Sequence, residues 1–138
     1  MDISKTKFVK NLVFKQNSYF DGGKASYGAN QRHINYQAWL KLPNNYRLSI
    51  ITGPVGTGLT EVPNVYEIGF FSAHHGEMIK AHKEEYIFNI EGVETKHVDY
   101  DTTAGYLTLE GLEEYLVEIS QWPTRTKEMD IEEGYINS

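Results

Sequence analysis

The chain contains no cysteine. Disulfide scaffolds, thiolate zinc sites, iron–sulfur clusters and thiol nucleophiles are thereby excluded. Proline is scarce, with four in 138 residues, and no low-complexity segment or internal repeat breaks the sequence. No apolar run approaches the roughly 20 residues that cross a bilayer, so no membrane association is expected. Lys5, Lys7, Lys10 and Lys15 interrupt every apolar run near the N-terminus. No secretory leader core is therefore predicted, and a cytoplasmic protein is expected. Basic residues are missing altogether between positions 97 and 124, a stretch that holds Asp99, Asp101, Glu110, Glu113, Glu114 and Glu118.

What is present points to a folded domain. Hydrophobic residues make up 40% and aromatics 13%, with ten Tyr, six Phe and two Trp. Side chains that bury so much area drive collapse. Charge is split along the chain. The first 60 residues hold eight Lys or Arg against two acids, and the remaining residues hold five against seventeen, for a net charge of -6. A split of this kind suits a charged partner surface, although the halves can also fold together and cancel.

Residues 12–20 are apolar and aromatic and meet a turn at Asp21-Gly22-Gly23. Over residues 34–42, Tyr36, Ala38, Leu40 and Leu42 alternate with Gln37, Trp39 and Lys41, the period of a strand with two distinct faces. Pro43-Asn44-Asn45 turns the chain. Residues 46–52 resume the alternation, with Leu48 and Ile50 on one face and Arg47 and Ser49 on the other. Residues 65–72, 86–90 and 93–98 read as further strands, the last two joined at Glu91-Gly92. Thr108 is placed to cap a helix in which Leu109, Leu112, Tyr115, Leu116 and Ile119 share one stripe and which Pro123 stops.

These elements predict an α+β domain over residues 1–123. It is an antiparallel meander of five or six strands with one C-terminal amphipathic helix packed on a face. The other face and the edges are left for a partner or a second copy. Residues 124–138 are polar and acidic and are expected to form a mobile tail.

Motifs for chemistry are sparse. Gly53-Pro54-Val55-Gly56-Thr57-Gly58-Leu59-Thr60 nearly spells a phosphate-binding loop, but Leu59 stands where the lysine is needed, and Pro63 opposes the helix that should follow. Gly53, Gly56 and Gly58 with Arg47 retain one alternative, a backbone cradle for a nucleotide-like signal. His74, His75 and Glu77 are candidate ligands for a metal-dependent enzyme, although their spacing matches no H-E-x-x-H pattern. Lysines interleave with Phe8, Phe14, Phe20 and Tyr27 as in nucleic-acid binders, but a pI near 5.3 argues against that class. No cofactor is implied. Glu110, Glu114 and Glu118 form i, i+4 like-charge pairs with no lysine between them. With Asp99 and Tyr100 they make a candidate acidic docking face for a partner with a basic surface.

Three segments carry a resemblance: Asn45-Tyr46-Arg47-Leu48-Ser49-Ile50-Ile51-Thr52-Gly53, then Val65-Tyr66-Glu67-Ile68-Gly69, then Gly105-Tyr106-Leu107-Thr108. In this order residues 44–123 resemble a family of small bacteriophage-encoded accessory proteins. The family's glycine between Asn45 and Tyr46 is missing here, and the stretch over residues 73–83 is longer. The resemblance implies a phage or mobile-element origin and no established catalytic residues. Together these features lead to the expectation of a non-enzymatic protein that binds and inhibits or redirects a host protein, such as a defence component.

Overall fold

The structure, a computed structural model, describes residues 2–16, 36–52, 66–83, 85–90, 92–98 and 102–137. Among these residues the strands are β1 (Lys15–Gln16), β2 (Tyr36–Lys41), β3 (Tyr46–Thr52), β4 (Tyr66–Ser72), β5 (Glu85–Ile90), β6 (Val93–Val98) and β7 (Thr103–Leu107). The α-helices among them are α1 (Leu109–Ser120) and α2 (Lys127–Glu132), and 3-10 turns at Ile3–Lys5 and Val9–Asn11 precede β1. The class is α+β, and the described strands all pair antiparallel.

The main sheet has the order β1-β2-β3-β4-β7. It is a meander up to β4. The neighbour of β4 is then β7, because β5 and β6 leave to form a two-stranded sheet of their own. The reason lies in the apolar residues. Phe88 of β5 is 4% exposed and turns its ring to Tyr115 of α1, at 5.5 Å and edge-on. Tyr86 stacks on the same ring at 5.2 Å. The hairpin therefore buries its aromatic face against the helix rather than extending the sheet.

The inner face of the main sheet carries Ala38, Leu48, Ile50, Ile68 and Phe70, all at most 1% exposed. It packs against Leu112, Tyr115, Leu116 and Ile119 of α1, each fully buried. Thr108 caps that helix as its position predicts, accepting a hydrogen bond from Gly111 N at 3.0 Å. Asn45 takes a positive φ of 68° in the β2–β3 turn, a conformation asparagine tolerates better than most residues.

The C-terminal residues differ from the mobile tail that their polarity suggests. Arg125 N donates to Asn44 O at 2.7 Å, and Asn44 Nδ2 donates to Ile119 O at 2.8 Å. The segment thus ties the end of α1 to the β2–β3 turn. It continues into α2, where Asp130 is fully buried. Composition misleads here because Asp130 pairs with Arg125 and accepts from Ser72 inside the fold.

Candidate binding surface

The outer face of the main sheet is built from the odd-numbered positions of β2, β3 and β4. Cross-strand register aligns Lys41, Arg47 and Phe71 in one row, Trp39, Ser49 and Gly69 in the next, and Gln37, Ile51 and Glu67 in the third. Period-two geometry forces all nine onto the side away from α1. Arg47 lies at the centre of an aromatic group. Its guanidinium carbon is 4.3 Å from the Trp39 ring centroid and 5.4 Å from that of Phe71. The two rings meet edge-on at 5.2 Å. Met78 completes the group, and it can sit there because the residue below is glycine: a Cβ on Gly69 would come within 3.0 Å of Met78 Cε. Trp39 is 47% exposed and Met78 37%. Large apolar side chains are uncommon on an open face unless something covers them.

The electrostatics of this face are uneven. Among the described residues no carboxylate pairs with Arg47, Lys41 or Lys15. Glu67 is half-buried, and that burial pushes its carboxyl up to about 7. A carboxyl that is easier to ionise unfolded than folded makes its favourable contribution below about 4.5 and loses it as pH rises towards 7. Glu67→Gln is therefore expected to remove this component of the decline in stability between pH 5 and 8 and to be the more stable protein at pH 8. Thermal melts across that range check it, and a slope unchanged by the substitution would refute it.

Of the residues singled out by sequence, Arg47 stands in this surface. Gly53, Gly56 and Gly58 lie outside the described residues, as do Asp99 and Tyr100. The acids of α1 have other engagements. Glu114 Oε1 accepts from Asn89 N at 2.8 Å, and Glu118 Oε1 accepts from Lys83 Nζ at 2.8 Å. Glu113 accepts from the backbone N–H groups of Lys7, Phe8 and Val9 at 2.8, 3.0 and 2.9 Å, holding the N-terminal turns against the helix. Glu110 sits in the first turn, where the helix dipole favours a negative charge. The like-charge pairs are offset by partners from outside the helix, which the i, i+4 rule alone does not reveal.

The histidines lead to a buried polar node rather than to a shared site. His74 Nε2 lies 3.2 Å from Arg125 O, so this nitrogen carries the proton. His75 Nδ1 accepts from Glu77 N at 3.1 Å, which leaves Nε2 protonated and 3.3 Å from Asp130 Oδ1. Among the described residues no three acids or histidines are grouped to hold a metal. Asp130 also receives Ser72 Oγ at 2.6 Å and Arg125 Nε at 2.8 Å, with Arg125 Nη2 at 2.6 Å. Nucleophilic activation needs the order hydroxyl, imidazole, carboxylate. Here the Ser72 hydroxyl donates straight to the carboxylate, an arrangement that fixes structure.

Trp39, Phe71 and Met78 are the surface residues that the sequence reading passed over. The signal for Trp39 was there: it falls on the same strand row as Gln37 and Lys41. Phe71 and Met78 join it only through cross-strand pairing and an isolated bridge between them. Comparison with family models, with curated proteins and with solved structures yields no match for this chain.

Proposed function

We propose that this protein acts by binding and not by catalysis, with the outer sheet face around Arg47 as its contact surface. Following the resemblance over residues 44–123, the partner in this reading is a host protein that a phage protein inhibits or redirects. The observation that carries the reading is the exposed Trp39 ring with half-buried Arg47 and Phe71 set against it. Trp, Arg and Met are the residue types that supply contact energy at interfaces, and lysine at the rim steers encounter. The acids of α1 offer less to a partner, because Glu114 and Glu118 are engaged within the fold.

A pull-down tests the reading. The wild-type protein is expected to retain a stoichiometric partner that the Trp39→Ala/Arg47→Ala double variant loses. Trp39 and Arg47 lie outside the core, so both proteins should melt alike. A partner held equally by both, or none at any ionic strength, would overturn the proposal.

A further inference from the structure

Resting on the binding function just proposed, we infer that the outer sheet face receives an acidic, apolar-containing segment of a partner protein, with a carboxylate seated on Arg47. The charge placement supports this choice. On this face Arg47, Lys41 and Lys15 carry no ion pair among the described residues, while the described acids of α1 and α2 lie on the other side of the sheet. The exposed cationic face therefore complements a negative partner, even though the whole chain is acidic.

The geometry narrows the partner further. The Arg47 guanidinium lies against the Trp39 and Phe71 rings and has no carboxylate partner among the described residues, which leaves N–H groups for an incoming carboxylate. Trp39 and Met78 border it with exposed apolar surface, which suits an aliphatic or aromatic side chain next to the acid. Met78 lies over Gly69, and Ser49 between the strands is buried, so the contact is made along the outer edges of Trp39, Arg47 and Met78. Single-stranded nucleic acid is the less suited anion. Base stacking needs an open ring face, and Arg47 already covers one face of Trp39 at 4.3 Å.

The test is selection of short random peptides displayed against the immobilised full chain, followed by titration of the enriched peptide and of oligothymidylate. Enrichment of acidic residues beside aliphatic or aromatic ones is expected. Affinity should fall at least about tenfold with Arg47→Gln, and again as salt is raised. Arg47→Lys, which keeps the charge and loses the planar fork, should also bind more weakly than wild type. Lys83→Gln, on the helix side, should bind as wild type does. Enrichment of basic or uncharged peptides, affinity indifferent to both Arg47 variants, or tighter binding of oligothymidylate would each overturn the inference. So would salt-sensitive self-association abolished by Arg47→Gln, which would make a second copy the occupant. A stoichiometric partner in the pull-down together with non-acidic selected peptides would sink this inference and leave the binding function standing.

Discussion

Asp130→Ala is expected to lower folding stability by about 3–5 kcal/mol, a large share of the roughly 5–15 kcal/mol that holds a domain together. Asp130 is fully buried and Arg125 is 2% exposed. Removing the carboxylate strands a guanidinium that has lost its solvent, and leaves the Ser72 hydroxyl without its acceptor. Glu133 still meets Arg125 Nη1 at 2.7 Å but is itself 39% exposed, so it screens the charge only partly. Denaturant titration measures the loss. Arg125→Met combined with Asp130→Leu should restore much of it, since a matched apolar pair needs no counter-charge. The acid limb should respond as well. Burial by itself would raise the carboxyl of Asp130, but the Ser72 hydroxyl and the Arg125 guanidinium outweigh it and hold the group below its ordinary range. Its stabilising contribution is therefore complete above pH 4 and is lost as pH falls through the depressed value. The apolar pair should flatten that component of the acid transition. A loss under about 1 kcal/mol for Asp130→Ala would mean the node is not what holds the C-terminal segment.

Tyr115→Ala is the second large effect, also about 3–5 kcal/mol. Tyr115 is fully buried and stands where three elements meet. Its ring lies 6.2 Å from Phe70 of β4, 5.2 Å from Tyr86 and 5.5 Å from Phe88 of β5, and 6.2 Å from Trp122 beyond α1. Truncation leaves a cavity bordered by rigid rings that cannot collapse into it, which puts the cost at the upper end for its kind. It also removes the surface on which the β5–β6 hairpin docks. Near-ultraviolet circular dichroism should weaken along with the melting temperature, and Tyr115→Leu should recover part of both. A melting temperature within a degree or two of wild type would show that the hairpin and sheet are held by other contacts.

The parts of the fold visible in the sequence are those set by local pattern. Alternation over residues 36–52 and the Pro43-Asn44-Asn45 turn specify a hairpin and the face each residue takes. Leu112, Tyr115, Leu116 and Ile119 specify the buried stripe of α1, and Thr108 its start. What local pattern does not encode is which strand pairs with which. β5 and β7 both follow β4 in the chain, and the choice between them rests on Phe88 finding Tyr115, a contact across 27 positions. Polar residues were harder still. Arg125 and Asp130 look like solvated charges until Ser72 is brought beside them from the far end of β4. Glu114 and Glu118 look unpaired until Asn89 and Lys83 arrive. For the candidate surface, Arg47 is legible in the sequence as a candidate binding residue, and alternation places Trp39 only on the same strand row as Gln37 and Lys41. Their meeting depends on adjacent strands and the edge-on Phe71.

The molecule has only two tryptophans, and the fold sets them in opposite surroundings: Trp39 is 47% exposed on the outer face, and Trp122 is 4% exposed, stacked on Phe70 at 5.7 Å. Intrinsic fluorescence consequently divides into two reporters. The first indole emits at longer wavelength and is open to a dissolved quencher such as iodide, whereas the second emits at shorter wavelength and is shielded. Occupancy of the sheet can then be followed through one signal while the integrity of the interior is followed through the other, in the same cuvette and without a label.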